Sequence, residues 1–212
     1  SNIKPGAEIR LKKNIPLGAG LGGGSADAAA VLAQLNRLFG RPLTPEQMAE
    51  AALLLGADVP FFLGEGAALA TGVGERLSPA PALPDCLIII CKPPFSVCAG
   101  EAYQLFDEHG KDDGRRAGGM LEALYTGKIK NVAQNLFNHL EGPVTERYPQ
   151  IGRVKEELIR SGALGAMMTG SGSAVFGIFS EETTAKAAYS ALKKSYAETY
   201  MASPVVFPQS RV

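Results

Sequence analysis

The sequence predicts an α+β fold, and three observations predict it. Residues 87–91 and 174–179 are apolar runs without a charged residue, as in strands that are buried on both faces. Segments with helical periodicity lie between and after these runs, so strand and helix alternate through the second half of the chain. With 46% hydrophobic residues over 212 positions, the chain can bury a substantial core.

The first half is expected to contain one strand, two helices and a hairpin. Residues 8–15 alternate apolar and charged side chains, which is typical of a half-exposed strand. Ser25 is expected to cap a helix that ends at Gly40. Residues 44–47 form a capping-box pattern that starts a second helix, and residues 66–77 are expected to form a strand or a hairpin.

The proline-rich segment 78–84 is expected to separate two domains, residues 1–84 and residues 85–212. In the second domain, residues 101–160 are expected to be largely helical. Residues 199–207 are expected to form the last strand.

Charge and cysteine content exclude several classes of protein. Twenty-one Lys and Arg balance 21 Asp and Glu, so nothing favours a nucleic-acid or membrane surface, and no apolar stretch approaches the ~20 residues of a membrane span. Cys86, Cys91 and Cys98 lack CxxC spacing and are expected to be buried or half-buried thiols of a reducing compartment. His109 and His139 lack the spacing of zinc ligands, so no zinc site is expected.

Glycine is the outlier in the composition, with 25 of 212 residues, about 12% against an average of about 7%. Five of these glycines lie in residues 18–24. At this density, backbone N–H groups can surround an anion, and the helix expected next points its positive end at the same place. We therefore expect a phosphate-binding loop rather than a mobile surface loop.

Two common phosphate loops do not fit this segment. Gly18, Gly20 and Gly23 satisfy the dinucleotide pattern GxGxxG, but that fold needs a strand after the helix, and residues 40–43 lead directly into another helix cap. A Walker A loop needs Gly-Lys-Ser/Thr, and this loop contains no lysine. Another segment must therefore supply a cation near the phosphates.

Asp58 is a lone carboxylate in the apolar run 53–62, where burial is costly unless the group is paired, hydrogen-bonded or functional. Its spacing alone leaves a functional and a structural role open. The pattern at 168–176 favours a hairpin turn, with a second anion cradle as the alternative. Tyr103 could stack on a base, although an aromatic residue on a helix more often belongs to the core.

Three segments carry a resemblance to a known family. Residues 16–29 (PLGAGLGGGSADAA) resemble the ATP loop of the GHMP kinases. Residues 55–60 (LGADVP) are similar to the family's catalytic aspartate segment, and residues 169–172 (TGSG) to its third motif. Residues 22–25 (GGGS) resemble the branch that acts on 4-diphosphocytidyl-2-C-methyl-D-erythritol in the non-mevalonate isoprenoid pathway, because other members tend to read Gly-Leu-Gly-Ser-Ser here. The similarity extends from about Ile9 to the C-terminus.

The resemblance implies a fold of two α+β lobes with the site in the cleft between them. Residues 1–84 would form an incomplete ATP-binding lobe, and residues 85–212 a ferredoxin-like α/β sandwich. It further implies a cytoplasmic enzyme, monomeric or homodimeric, that transfers the γ-phosphoryl group of ATP to the 2-hydroxyl of this small-molecule substrate with Mg²⁺. Neither a nucleic acid nor a membrane is expected as a partner.

The resemblance also implies roles for individual residues. Asp58 would take the hydroxyl proton, Ser25 would lie near Mg²⁺, and Tyr103 would lie against the cytosine ring of the substrate. The implied ATP-binding residues are Pro16, Leu17, Gly18, Ala19, Gly20, Leu21, Gly22, Gly23, Gly24, Ser25 and Ala26. The turn that would close over the substrate consists of Thr169, Gly170, Ser171 and Gly172.

Two departures from the family pattern affect these expectations. Ala99 stands where the family usually has threonine, near the implied substrate contacts. Family members also carry an N-terminal stretch with a lysine near the phosphates, and this chain, which begins at Ser1, has no matching segment. We therefore expect a truncated or proteolysed fragment with little turnover and with exposed apolar surface.

Two other functions remain open on the sequence. One is a sibling kinase that acts on homoserine or a mevalonate-type alcohol. The other is a nucleotide-binding sensor without turnover, against which Asp58 counts, because a sensor needs no base.

Overall fold

The computed structural model describes residues 6–111 and 113–205, and these residues form two compact units. Unit 1 contains residues 6–17, 22–65 and 70–78; unit 2 contains residues 18–21, 66–69, 79–111 and 113–205. The glycine-rich segment 16–26 therefore contributes to both units.

Unit 1 is built from helix α1 (Gly23–Leu38), helix α2 (Pro45–Leu55) and a short 3-10 helix (Pro60–Leu63). The predicted capping box is present at α2. Thr44 Oγ1 accepts a bond of 3.3 Å from the backbone N–H of Gln47, whose Oε1 accepts one of 3.0 Å from the N–H of Thr44. The core of the unit consists of Ala29, Ala52 and Val59, with Phe62 packed against them.

Two predictions for unit 1 are wrong. The alternating segment 8–15 is not a strand, because none of the described strands pairs with it; Ile9 and Leu11 are exposed instead. Ser25 does not cap α1, which begins two residues earlier at Gly23. The N-cap is Gly22 with φ of 66°, a left-handed conformation that glycine adopts without steric cost.

Unit 1 also leaves large apolar side chains in contact with solvent. Leu54 is 90% exposed, and Leu38 and Leu55 are exposed as well. These are individual exposed side chains; that a truncation exposes them stays a prediction.

The predicted hairpin is formed by β1 (Ala67–Thr71) and β2 (Arg76–Ala80), which make a two-stranded sheet. Glycines with positive φ at Gly72 and Gly74 supply the reversal between the strands.

Unit 2 has the predicted ferredoxin-like arrangement. Its sheet contains β3 (Leu87–Lys92), β4 (Gly165–Met168), β5 (Val175–Phe179) and β6 (Glu198–Ala202). The strands lie antiparallel in the order β4-β5-β3-β6. Helices follow β3, and one helix joins β5 to β6, which gives the β-α-β-β-α-β order of this fold.

The segment between β3 and β4 is largely helical, as predicted. It contains α3 (Ala99–His109), α4 (Ala117–Tyr125), α5 (Ile129–Gln134), α6 (Glu141–Arg147) and α7 (Pro149–Arg160), and α8 (Glu182–Ser195) follows β5. The predicted last strand is confirmed over 199–202, whereas residues 206 and 207 of that prediction lie outside the described residues.

The sheet of unit 2 is covered on both faces. Phe179 packs in a cluster with residues of α7 and α8, such as Leu158 and Leu192, whereas its neighbour Ile178 packs with Val132 of α5. Burial of each such side chain contributes about 1.5–3 kcal/mol. None of the described helices is long and apolar enough to span a membrane.

The cysteines differ in exposure. Cys91 is buried and Cys86 is half-buried, as expected, but Cys98 is exposed. The expectation fails at Cys98 because this residue is the N-cap of α3 and lies outside the strand that buries Cys91.

Candidate active site

In unit 2, the glycine-rich loop is bonded to the loop between β4 and β5. The Thr169 hydroxyl donates a hydrogen bond of 2.9 Å to the carbonyl oxygen of Gly20. The backbone N–H groups of Ser173 and Ala174 donate to the carbonyl oxygens of Gly18 and Ala19 at 3.4 and 3.3 Å. Residues 18–21 are therefore held through their own backbone.

Gly20 is a position that only glycine fits. Its φ is +69°, and a Cβ atom there would lie 2.0 Å from the carbonyl oxygen of Thr169. At Gly18, with φ of +58°, a Cβ atom would lie 2.4 Å from the Cβ atom of Ser96. The two glycines let the loop pack tightly against residues 96 and 169.

The predicted hairpin turn at 168–176 is present, with Met168 paired to Val175 and Thr169 N–H bonded to the carbonyl oxygen of Ala174 at 3.0 Å. Gly172 is buried, whereas Gly170 is exposed. The structure thus gives this turn a defined contact, the glycine-rich loop. Its role as an anion cradle or substrate contact remains a prediction.

In unit 1, the N-terminus of α1 is open. Gly22 makes no side-chain cap, and the first bond of the helix is from Ala26 N–H to the Gly22 carbonyl oxygen at 2.9 Å. The preceding N–H groups, up to Ser25, point out of the helix end together with its positive dipole. This arrangement suits a phosphate group.

A cation lies next to this helix end. Lys13 forms an ion pair with Asp27, in the first two turns of α1, and both side chains are about one quarter to one third exposed. Sequence reasoning missed Lys13, because the two residues are 14 positions apart and no local pattern joins them. Lys13 neutralises a carboxylate that would otherwise repel a phosphate at the same helix.

Asp58 lies in the turn between α2 and the 3-10 helix, where Val59 N–H bonds to the Gly56 carbonyl oxygen at 3.0 Å. Its side chain is exposed rather than buried in the surrounding apolar run. The expected cost of burial therefore does not arise. Among the described residues, the Asp58 carboxylate has no hydrogen-bond or ion-pair partner.

Tyr103 is 60% exposed on α3 and does not belong to the core. Two residues earlier on the same helix, Glu101 accepts a bond of 2.6 Å from the hydroxyl of Tyr148, and this bond raises the pKa of Tyr148. The Tyr148 ring stacks on Phe95, whose carbonyl oxygen accepts the Ser173 hydroxyl at 2.6 Å. The first turn of α3 is thereby connected, through Tyr148 and Phe95, to the loop between β4 and β5.

Within residues 6–111 and 113–205, no group of three or more His, Cys, Asp or Glu side chains could hold a metal ion. Mg²⁺ is commonly held by one or two protein oxygens together with substrate phosphates. The Ser25 hydroxyl in the first turn of α1, beside the open N–H groups, fits that kind of site.

Two family models match the chain. The GHMP kinases N terminal domain matches residues 1–73, and the GHMP kinases C terminal domain matches residues 120–198.

Curated relatives carry a more specific name. The 4-diphosphocytidyl-2-C-methyl-D-erythritol kinase of Desulfitobacterium hafniense (strain Y51) is 47% identical over 182 residues, which cover 85% of this chain and 63% of the relative. The enzyme of the same name from Clostridium botulinum (strain Alaska E43 / Type E3) is 38% identical over 94% of this chain and 71% of its own length. The chain thus spans slightly less than two thirds of the Desulfitobacterium relative.

A solved structure agrees with these relatives. The crystal structure of a 4-(cytidine 5'-diphospho)-2C-methyl-D-erythritol kinase is 35% identical, with a TM-score of 0.75 over 92% of this chain and 70% of that one. The chain belongs to the GHMP kinases, in the family of 4-diphosphocytidyl-2-C-methyl-D-erythritol kinases.

Proposed function

We propose that the protein transfers the γ-phosphoryl group of ATP to the 2-hydroxyl of 4-diphosphocytidyl-2-C-methyl-D-erythritol, a step of the non-mevalonate isoprenoid pathway. The observation that carries the proposal is the open N-terminus of α1 directly after a glycine loop that is held by its backbone. The names of relatives at 47% and 38% identity support the choice of substrate.

The phosphates of ATP are bound by residues 16–26 in this proposal. Phosphoryl transfer depends mainly on positioning and charge stabilisation, and a loop of backbone N–H groups at a helix N-terminus supplies both. Ser25 contributes its hydroxyl to Mg²⁺, which neutralises charge on the phosphates when bound. Lys13, paired with Asp27, cancels the negative charge of that carboxylate in the first two turns of α1.

Asp58 acts as the base in this proposal. A carboxylate that is exposed and has no partner among the described residues can accept a hydrogen bond from the substrate hydroxyl. It then takes the proton as the oxygen attacks the γ-phosphorus. Tyr103, exposed on α3, offers a flat face to the cytosine ring.

The proposal also concerns the compartment, the oligomeric state and the partners of the protein. We expect the protein to act in the cytoplasm as a monomer or homodimer, without a nucleic-acid or membrane partner. We expect the 212 residues alone to turn over more slowly than the Desulfitobacterium relative, of which they match 63%.

A substrate panel tests the proposal against the sibling kinases. The 212-residue chain and a chimera that supplies the unmatched remainder of the Desulfitobacterium relative are incubated with Mg-ATP and one alcohol. The alcohols are 4-diphosphocytidyl-2-C-methyl-D-erythritol, homoserine and mevalonate, and products are identified by mass spectrometry. We expect a phosphorylated product from the first alcohol alone, and more of it from the chimera. Phosphorylation of homoserine or mevalonate in its place would overturn the substrate assignment.

A further inference from the structure

Asn138, in the segment before α6, and Glu141, the first residue of α6, are both hydrogen-bonded to the end of β4. Asn138 Nδ2 donates hydrogen bonds to the carbonyl oxygens of Met168 and Gly170 at 2.9 and 2.8 Å. Glu141 Oε2 accepts a bond of 2.7 Å from the backbone N–H of Met168. The N–H and carbonyl groups of Met168 and the carbonyl oxygen of Gly170 are therefore all hydrogen-bonded to Asn138 or Glu141.

Asn138 and Glu141 are themselves fixed. Asn138 Oδ1 accepts a bond of 3.0 Å from Leu140 N–H, and Glu141 N–H donates one of 3.0 Å to the Asn138 carbonyl oxygen. Glu141 Oε1 is paired with Lys155 on α7. Because both partners of Nδ2 are carbonyl oxygens, only the amide nitrogen fits that position. The pair forms a rigid support.

Thr169 lies between the two carbonyl oxygens that Asn138 holds, and its hydroxyl bonds to the carbonyl oxygen of Gly20. Asn138 and Gly20 are thus connected by direct hydrogen bonds through the backbone segment 168–170, and all these residues belong to unit 2. We propose that Asn138 and Glu141 are positioning residues that set the glycine-rich loop through residues 168–170. The effect on nucleotide binding rests on the proposed function, whereas the mechanical coupling does not.

Substitutions can separate the links of the chain. Asn138→Asp keeps the shape but turns an oxygen toward two carbonyl oxygens, so it replaces two bonds by repulsion. Glu141→Ala removes both the acceptor of the Met168 N–H and the charge that pairs with Lys155. Thr169→Val breaks only the bond to Gly20. Asn135→Asp is the matched control, since among the described residues the Asn135 amide donates only to the Asn131 carbonyl oxygen in α5, the helix that Asn135 ends.

Hydrogen exchange of the 212-residue chain, resolved by mass spectrometry, measures the coupling without any ligand. The reporters are the N–H groups of Ser173 and Ala174, which bond to Gly18 and Ala19. We expect Asn138→Asp to speed their exchange about tenfold, the effect of weakening one hydrogen bond. We expect Thr169→Val to act on the same groups while the Met168 N–H stays protected. We expect Glu141→Ala to speed exchange of Met168 as well as Ser173 and Ala174, and unchanged exchange of the last two would contradict the role of Glu141.

A purely local role of Asn138 predicts a different pattern of hydrogen exchange. If Asn138 only stabilises β4, Asn138→Asp will speed exchange of Met168 and leave Ser173 and Ala174 unchanged, which overturns the proposal. Equal changes in Asn135→Asp overturn it as well. Thr169→Val decides the second link even where Asn138→Asp fails to fold, because unchanged exchange at Ser173 and Ala174 in that variant also contradicts the coupling.

Nucleotide binding supplies the second readout. We expect Asn138→Asp to weaken binding of Mg-AMP-PNP about tenfold by calorimetry, while in the chimera the KM for the cytidine substrate stays within about twofold. A loss of both affinities in equal measure would contradict a positioning role for the phosphate loop. If neither the wild-type chain nor the chimera binds AMP-PNP, the proposed function fails, and the exchange pattern still decides the coupling.

Discussion

The hydroxyl of Thr169 donates a hydrogen bond of 2.9 Å to the carbonyl oxygen of Gly20, a residue 149 positions earlier in the chain. The backbone N–H groups of Ser173 and Ala174 donate two further hydrogen bonds to the carbonyl oxygens of Gly18 and Ala19 in the same loop. Residues 18–21 of the glycine loop are thus supported by residues 169–174, and both segments belong to unit 2. A loop that is held this way keeps its backbone N–H groups in fixed positions, as the proposed role in phosphate binding requires.

Gly20→Ala is expected to damage this support. The new Cβ would lie 2.0 Å from the Thr169 carbonyl oxygen at a φ of +69°, so the loop must move. We expect a loss of about 1–3 kcal/mol in the free energy of unfolding, measured by urea denaturation, and weaker AMP-PNP binding. Gly118→Ala is the control, because a Cβ there meets nothing within 4 Å. A Gly20→Ala protein as stable as that control would contradict the tight approach.

Thr44→Ala is expected to destabilise unit 1 by about 1 kcal/mol, since it removes one half of the capping box of α2. Urea denaturation followed by circular dichroism measures the change. Thr183→Ala, at an exposed position in the first turn of α8, is the matched control and should have little effect. Equal stability of the two variants would show that the capping box contributes nothing.

The three thiols are expected to differ in reactivity. Burial raises the pKa of Cys91 and of Cys86 to about 11, and Asp85 adds to the effect at Cys86. A pKa two units above the ordinary 9.0 leaves about a hundredfold less thiolate at pH 8. With Ellman's reagent at pH 8 we expect one fast thiol in the folded chain, the exposed Cys98, and three in denaturant. A fast phase that survives Cys98→Ser would contradict this assignment.

The same burial predicts a loss of stability at high pH. The thiol of Cys91 ionises near its ordinary pKa of 9.0 in the unfolded chain but at about 11 in the folded one, so rising pH favours the unfolded state between these values. Cys91→Ala is expected to be less stable at pH 8 and to lose less stability from pH 9 to 11. Tyr196, whose pKa is raised to about 12 chiefly by burial, keeps most of its contribution in Cys91→Ala, because the charge of Cys91 is one of the lesser causes of that shift. Parallel curves for the two proteins would refute the assignment.

Local patterns predicted much of the fold. The capping box at Thr44 and Gln47 depends on residues three positions apart, and the buried strands β3 and β5 depend on continuous apolar runs, so both can be read from the sequence. The start of α1 could not, because Gly22 rather than a side chain makes the N-cap. The segment 8–15 has the alternation of a strand, but a strand also needs a neighbour to pair with.

The candidate site was predicted as a set of motifs but not as an arrangement. The glycine loop, Asp58 and residues 169–172 stood out by composition and resemblance. The bond from Thr169 to Gly20 and the ion pair of Lys13 with Asp27 join residues that are distant in sequence. No helix or strand periodicity predicts such contacts. Asn138 carries no signal of its own, since an isolated asparagine between two helices is an ordinary loop residue.

Transfer of phosphate that depends on Asp58 tests the central claim most directly. The chimera and the 212-residue chain are incubated with Mg-ATP and 4-diphosphocytidyl-2-C-methyl-D-erythritol, and the phosphorylated product is measured by mass spectrometry. Asp58→Asn is compared with Asp85→Asn, an exposed aspartate outside the proposed site. We predict a product whose rate falls at least about a hundredfold in Asp58→Asn, as for loss of a general base, and is unchanged in Asp85→Asn. No product from a folded chimera, or equal rates in the two variants, would contradict the proposed function.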